Sequence, residues 1–294
     1  MEKVLIILGP TAVGKSEIAI HLAKKFNGEI ISADSVQVYK GLNIGSAKLS
    51  FESMQGIKHH FIDVLPPESE FSVFEFVEMT KKKIHEITKN KKIPIIAGGT
   101  GLYIKALLHA YDFGGAEKNK DFRKSLEEKD LNVLYDELTI KNKEMASSIK
   151  PNDKKRIIRA LEILEFGNVP NQSKTEYDAL IFNLNMDRQK LYEKINKRVD
   201  KMLEEGLIDE VKSLLKCIKK DSQSMKAIGY KEVVSYLDNE ISLEEMKELI
   251  KKHTRNYAKR QMTFFRSLKE AFCIDVMDKT KALNEIEKTV KEWL

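Results

Sequence analysis

The 294-residue sequence has few cysteines and no long apolar segment. Its two cysteines, Cys217 and Cys273, form no CxxC pair, which argues against a zinc site and a disulfide framework and favours a reducing compartment. No apolar stretch approaches the roughly 18 residues that cross a bilayer, and no basic leader precedes the first apolar run. We therefore expect a cytoplasmic protein with no membrane contact and no zinc.

Acidic residues are missing from one long segment near the C-terminus. The whole chain has 51 Lys and Arg against 45 Asp and Glu, a net charge of +6 that identifies no partner by itself. Residues 251–266, however, carry basic side chains and no acidic one. At about 100° per residue one arc of a helix there would present Lys251, Lys252, Arg255, Lys259 and Arg266. Such a stripe favours contact with RNA or diphosphate over an ordinary solvated face.

Short apolar runs alternate with helix-length segments in the first part of the chain. Residues 4–8, 29–33 and 93–97 are strand-like, and residues 15–26 are typical of a helix. This alternation predicts an α/β fold, with a parallel sheet flanked by helices.

Residues 113–187 differ from the rest because they are rich in Lys and Glu and are mostly helical in pattern. The sequence thus predicts a core begun by residues 1–112, a helical insertion domain at 113–187, and a helical completion of the core at 188–294.

The first apolar run leads into a phosphate-binding motif, G-x-x-x-x-G-K-[ST], which gives the core its P-loop NTPase-like character. Its residues are Gly9, Pro10, Thr11, Ala12, Val13, Gly14, Lys15 and Ser16. Backbone N–H groups and the helix N-terminus attract phosphate oxygens, Lys15 adds a charge, and Ser16 can reach Mg²⁺. The motif does not specify the phosphate ester: a nucleotide, a sugar phosphate or a diphosphate ester would fit.

Two polar residues follow other predicted strands, at the edge of the sheet where ligands bind. Asp34 is suited to metal coordination or to accepting a proton, but a turn cap would look the same. Thr100 follows paired glycines and could donate to an ester oxygen or cap a helix. The strand at 93–97 ends in Gly98, whereas P-loop ATPases usually hold Mg²⁺ with an acidic residue there, which argues against ATPase activity.

A series of segments in order resembles the tRNA dimethylallyltransferases, also called tRNA isopentenyltransferases. They are "SADSVQVYKGLNIGSAK" after the P-loop, "GIKHHFIDVLPPESEFSVFEF", "IAGGTGLYIKALL", "NDKKRIIRALEI", "AIGYKE" and "TRNYAKRQMTFFR". The resemblance implies that the P-loop binds dimethylallyl diphosphate, with Mg²⁺ as cofactor. It further implies transfer of the allyl group to N6 of adenosine 37 beside the tRNA anticodon, by a monomer.

For that reaction Asp34 is the candidate base, because the delocalised amine of adenine is a poor nucleophile until its proton is removed. Thr100 would bond to the leaving oxygen. The resemblance places Lys226 near the diphosphate. Gln37 offers the donor and acceptor that an adenine edge requires. The resemblance implies that tRNA contacts Asp34, Ser35, Val36, Gln37, Thr100, Arg123, Lys155, Arg156, Ile157, Ile158 and Arg159, and the basic stripe adds Arg255 and Lys259.

Three other functions remain open from the sequence. A P-loop kinase of nucleotides or small metabolites would use Asp34 to activate a hydroxyl and the insertion as a lid. A prenyltransferase acting on free AMP, ADP or ATP would have the same chemistry, but it would not need a basic insertion to hold a stem-loop. A non-catalytic RNA-binding protein could use the P-loop as a switch.

Overall fold

The computed structural model describes residues 1–108, 119–167 and 177–294. Its strands are β1 (Glu2–Leu8), β2 (Gly28–Ala33), β3 (His59–His60), β4 (Ile93–Gly98), β5 (Tyr177–Asn185) and β6 (Phe272–Asp275). They form one sheet in the order β3-β2-β4-β1-β5-β6, and every neighbouring pair is parallel.

Helices connect these strands and form most of the remaining chain. They are α1 (Lys15–Lys25), α2 (Val73–Lys89), α3 (Gly101–Leu108), α4 (Lys120–Glu127), α5 (Leu131–Lys141), α6 (Lys143–Ser147), α7 (Lys154–Phe166), α8 (Arg188–Glu204), α9 (Leu207–Leu214), α10 (Tyr230–Leu237), α11 (Leu243–Phe265) and α12 (Lys279–Trp293). Two short 3₁₀ helices span Glu52–Met54 and Ser224–Lys226. Within the described residues, none of the helices has the length and hydropathy needed to cross a membrane.

The centre of the sheet is buried on both faces. Residues 4–8 of β1 are at most 1% exposed, as expected for a parallel strand covered by helices on each side. β1 pairs with β4 through Leu5 opposite Ile95 and with β5 through Leu5 opposite Leu180. The α/β class and the three predicted strands are confirmed.

The chain folds as two compact units. One comprises Met1–Ala106 and Glu176–Leu294, and the other comprises Leu107–Thr175. The first predicted domain boundary, at 112–113, lies outside the described residues. The predicted end of the insertion at 187 falls too late in the chain, because β5 pairs along its length with β1 and belongs to the sheet.

The helical unit has its own apolar core and one charged group inside it. Leu126, Leu134, Leu138 and Leu161 pack together, at most 2% exposed. Glu162 is fully buried in the same unit. Its carboxylate accepts four hydrogen bonds, from Arg123 Nε at 2.8 Å and Nη2 at 2.6 Å, from Arg159 Nη1 at 2.5 Å and from the Asn119 amide at 2.8 Å. Burial opposes the charge on Glu162, but these donors outweigh it and hold its pKa at about 2.

We expect the substitution Glu162→Gln to lower the free energy of unfolding of the helical unit by about 3 kcal/mol, because two arginines lose their shared counter-ion. The wild-type contribution should be complete above the usual glutamate pKa of about 4.3 and should disappear as the pH falls toward 2. Urea unfolding followed by hydrogen exchange in α4 and α7 measures the change. Glu137→Gln, which breaks ion pairs of a more exposed carboxylate in the same unit, should cost less than about 1 kcal/mol. Equal losses for the two variants would contradict this role of Glu162.

Candidate active site

The turn between β1 and α1 forms the phosphate-binding loop. Gly14 is the N-cap of α1 at φ 107°, a left-handed conformation that a side chain would strain. Lys15 Nζ donates to the Pro10 carbonyl at 2.8 Å, which holds the lysine across the loop. The loop amides, the N-terminus of α1 and the Lys15 cation are together suited to bind an anion.

Two cavities, of about 740 and 400 Å³, open beside this loop. Gly14, Lys15 and Ser16 line the larger cavity, and Lys226, Tyr257 and Arg260 line the smaller one. The residues that line both cavities are Thr11, Asp34, Ser46, Ala47 and Arg198. Asp34 therefore borders both the cavity beside the phosphate loop and the adjoining smaller cavity.

Asp34 directly follows β2 and closes a tight turn. Its Oδ1 accepts hydrogen bonds from the amides of Val36 at 2.9 Å and Gln37 at 3.3 Å. The turn cap expected as one alternative is therefore present, and the same side chain also lines the cavities. Ser35 and Val36 line the smaller cavity, so the segment that follows Asp34 forms part of its wall.

Thr100 lies next to this wall, although it is not among the described residues that line the two cavities. Its amide donates to the Ala33 carbonyl at 3.3 Å, which ties the end of β4 to the end of β2. Its side chain lies near Tyr257, a cavity residue, and lowers the pKa of that phenol against the effect of burial. Burial raises the pKa of Tyr257 to about 12, and the nearby Asp34 charge adds to this effect, so the phenol stays protonated.

A buried glutamine connects two of the loops that carry these residues. Gln261 on α11 accepts from the Thr11 amide at 2.9 Å and donates from Nε2 to the Gly99 carbonyl at 2.9 Å. Gln261 was not predicted from the sequence, although a signal existed. It shares a helix face with Ala258 and Phe265, which are buried. A polar residue on such a face is unusual and indicates a specific task for its side chain.

Cations surround the shared part of the cavities. Burial lowers the pKa of Lys15 to about 8, against the opposing effect of Asp34. Arg198 on α8 lines both cavities, and burial lowers the pKa of its guanidinium while Asp34 raises it. Arg198 was not predicted because the pattern of α8 shows only an ordinary amphipathic helix. Lys226 and Arg260 are exposed at the smaller cavity.

The Gln37 side chain already has partners within the protein. Its Nε2 donates to the carbonyls of Ser46 at 3.2 Å and Ala47 at 3.5 Å, and its Oε1 accepts from the Ser32 hydroxyl at 3.4 Å. Contact with an adenine edge therefore requires Gln37 to exchange these bonds. In the structure it holds the loop at residues 46–47 against the end of β2.

Part of the predicted tRNA-binding segment packs inside the helical unit. Ile157 and Ile158 are 0% and 5% exposed, so their side chains belong to its core. Arg123 and Arg159 bind Glu162, which gives them a structural task. The pattern suggested a basic helix face, but burial at these positions depends on tertiary packing.

The other predicted RNA contacts outside the cavity wall lie on more accessible surfaces. Lys155 and Arg156 are exposed on the first turn of α7. On α11, Lys259 is exposed, whereas Arg255 is half-buried and donates to Asn196 Oδ1 at 2.7 Å. The predicted stripe is interrupted at Lys251, which pairs with Asp200 at 2.9 Å.

The donors near the P-loop fit a magnesium ion better than a metal held by protein ligands alone. Among the described residues no group of three His, Cys, Asp or Glu side chains could hold a metal. Ser16 and Asp34 line the same cavity, the one with a hydroxyl and the other with a carboxylate. Mg²⁺ typically takes one or two protein oxygens and completes its shell with water and phosphate, so this donor set fits.

Comparison with known proteins agrees with this geometry. A parallel sheet with a phosphate-binding loop after its first strand defines a P-loop fold. The model of the IPP transferase family matches residues 37–268, and the chain belongs to this family. A tRNA dimethylallyltransferase from Caldanaerobacter subterraneus subsp. tengcongensis is 45% identical, over 99% of this chain and 97% of that protein.

Solved structures extend the likeness to three dimensions. A full-length tRNA isopentenylpyrophosphate transferase from Bacillus halodurans superposes with a TM-score of 0.79 at 41% identity, covering 100% of this chain and 97% of that one. A eukaryotic dimethylallyltransferase acting on tRNA superposes with a TM-score of 0.81 at 30% identity, covering 95% and 75%.

The lowered pKa of Lys15 predicts proton uptake when a diphosphate ester binds at alkaline pH. At pH 9 the free amine is mostly neutral, and the arriving negative charge should restore its proton. Phosphate esters complete their last ionisation near pH 6, so the ligand itself takes up no proton there. We expect uptake approaching one proton at pH 9 and little at pH 7 for dimethylallyl diphosphate. Calorimetry in buffers of different ionisation enthalpy measures it.

The control is Lys15→Arg, because a guanidinium stays protonated throughout this range. This variant should bind the ester without proton uptake. The same uptake in wild type and variant would show that another group titrates.

Proposed function

We propose that this protein transfers a dimethylallyl group from dimethylallyl diphosphate to N6 of an adenosine in the anticodon loop of tRNA, at position 37. The observation that carries the proposal is the position of Asp34, which lines both the phosphate-loop cavity and the adjoining one. One carboxylate can thus meet a diphosphate ester on one side and a purine on the other. Family membership and the names of the relatives support the acceptor as tRNA.

In the proposed reaction the adenine N6 attacks the allylic carbon of the ester. The new N–C bond forms as the C–O bond to the bridging oxygen breaks, and diphosphate leaves with the electron pair. Asp34 takes the proton from N6, so that the product is a neutral secondary amine. An adenine in a stacked loop cannot reach a carboxylate in a cavity, so the base must be turned out of the stack.

The P-loop amides, Lys15 and Arg198 would bind the diphosphate and stabilise the charge that grows on it as the C–O bond breaks. When bound at Ser16, Mg²⁺ would neutralise part of the same charge. Lys226 and Arg260 lie on the smaller cavity and add to the positive potential there. Thr100 would donate to the leaving oxygen, which requires a small movement from its contact with Tyr257.

The tRNA would be held by exposed cations, chiefly Lys155 and Arg156 in the helical unit and Lys259 on α11. Their charges match a phosphate backbone, which supplies much of the affinity of such complexes and no sequence selectivity. Ser35 would contact the adenine in the smaller cavity. Gln37 lines the larger cavity and would contact the base only after exchanging its present hydrogen bonds. The protein is proposed to act as a monomer in the cytoplasm.

Mass spectrometry of nucleosides tests the proposal directly. Purified protein, dimethylallyl diphosphate, Mg²⁺ and unmodified tRNA should yield N6-dimethylallyladenosine together with free diphosphate. A tRNA with another base at position 37 should give none. Product from free ATP but not from tRNA would identify a transferase of free nucleotides instead.

Asp34→Asn should lower kcat by roughly 10²-fold or more while the tRNA Kd stays within about threefold, because the amide keeps the turn but cannot accept the proton. The matched control is Asp187→Asn, since Asp187 Oδ1 also accepts amides two and three residues ahead and lines neither cavity. The control should retain wild-type kinetics. Parallel loss of turnover and tRNA affinity in Asp34→Asn would leave Asp34 a binding residue only.

A further inference from the structure

Three consecutive amides of the loop after β2 point at one carboxylate of the protein itself. Glu210 Oε2 accepts from Asn43 at 3.0 Å and Ile44 at 2.8 Å, and its Oε1 accepts from Gly45 at 3.2 Å. Successive N–H groups of this kind form a concave anion site. In this loop the anion is the side chain of Glu210, which lies in the first turn of α9, where the helix dipole also favours a negative charge.

Tyr230, the first residue of α10, binds the same Glu210 carboxylate. Its hydroxyl donates to Glu210 Oε1 at 2.7 Å, and its ring leaves no space at residue 45, where a Cβ would lie 2.5 Å from Tyr230 Cε2. The tyrosine is fully buried. Burial and the Glu210 charge raise the pKa of Tyr230, so its phenol remains a donor.

The position of Tyr230 is itself fixed by a second carboxylate. Glu232, 3% exposed, accepts from the Gly229 amide at 2.7 Å and contacts His253 Nδ1 on α11 at 2.6 Å. The segment "AIGYKE" thus supplies both the tyrosine and the group that anchors it. The transfer chemistry described above uses neither of them.

The loop held by Glu210 borders the reaction site. Ser46 and Ala47 line both cavities, and their carbonyls accept the hydrogen bonds of Gln37. The backbone N–H of Gln37 in turn donates to the Asp34 carboxylate. A continuous set of contacts therefore joins Glu210, through the loop and Gln37, to the Asp34 carboxylate.

We propose that Glu210 and Tyr230 are positioning residues: they hold residues 43–45 and thereby the adjoining Ser46 and Ala47, which line both cavities, so that the acceptor adenine is presented to Asp34. The inference rests on the proposed transfer reaction. The two substrates would depend on different contacts, because the phosphate loop is held by Gln261 and Lys15 and not by Glu210. Loss of the clamp formed by Glu210 and Tyr230 should therefore impair the acceptor and spare the diphosphate.

Glu210→Gln tests this with little change of shape. The amide nitrogen of the glutamine cannot accept, so at least one of the loop N–H groups loses its partner. We expect hydrogen exchange at residues 43–46 to rise by about tenfold, the KM for tRNA to rise by about tenfold, and the Kd for dimethylallyl diphosphate to stay within about twofold. Tyr230→Phe should give the same pattern with smaller changes.

The matched control is Glu245→Gln, which removes a carboxylate that accepts from a backbone amide at the start of α11 and lines neither cavity. It should change neither the exchange at residues 43–46 nor the tRNA KM. The effects of the Glu210 and Tyr230 substitutions should be less than additive in the double variant, because the two side chains share one hydrogen bond.

Unchanged exchange at residues 43–46 in Glu210→Gln would overturn the inference. So would a lower melting temperature with wild-type KM values, since that result assigns Glu210 a purely structural role. The exchange measurement does not depend on activity. An inactive wild-type protein would therefore contradict the proposed function, whereas an active wild type with an unaffected Glu210→Gln variant would contradict only the clamp.

Discussion

Two hydrogen bonds made by Gln261 fix the geometry on which the site depends. A parallel sheet brings the carboxyl ends of β1, β4 and β2 to one edge, but the loops that leave those strands are free to diverge. Gln261 spans two of them, from the Thr11 amide to the Gly99 carbonyl. The third is tied in by the Thr100 amide, which donates to the Ala33 carbonyl. These contacts keep the phosphate loop, Thr100 and Asp34 within one neighbourhood.

Cations and a carboxylate meet where the two cavities adjoin. Lys15 and Arg198 are both held against the cost of burial, and Asp34 is the carboxylate that offsets part of their charge. A bound diphosphate would satisfy the two cations and leave Asp34 free to act on a second substrate. Arg198 and Asp34 line both cavities, so their charges act on both substrates of the proposed reaction.

The features that could be predicted from the sequence are local ones. Apolar runs identified β1, β2 and β4, the motif at residues 9–16 identified the phosphate loop, and a polar residue after a strand identified Asp34. The strands β5 and β6 were missed, since β5 follows a charged helical stretch and β6 has only four residues, three of them exposed. Gln261, Arg198 and Glu210 depend on contacts between residues far apart in the chain, and no local pattern specifies those contacts. The burial of Ile157 and Ile158 has the same origin.

Asp34 is placed by this account between the diphosphate and the acceptor base, and the proposed chemistry depends on that placement. A structure of the protein with an unreactive analogue of dimethylallyl diphosphate and an anticodon stem-loop tests this most directly. The account predicts the phosphates on residues 9–16 and the adenine N6 within hydrogen-bonding reach, roughly 2.6–3.2 Å, of an Asp34 oxygen. An adenine bound away from Asp34, or phosphates bound outside the loop, would contradict it.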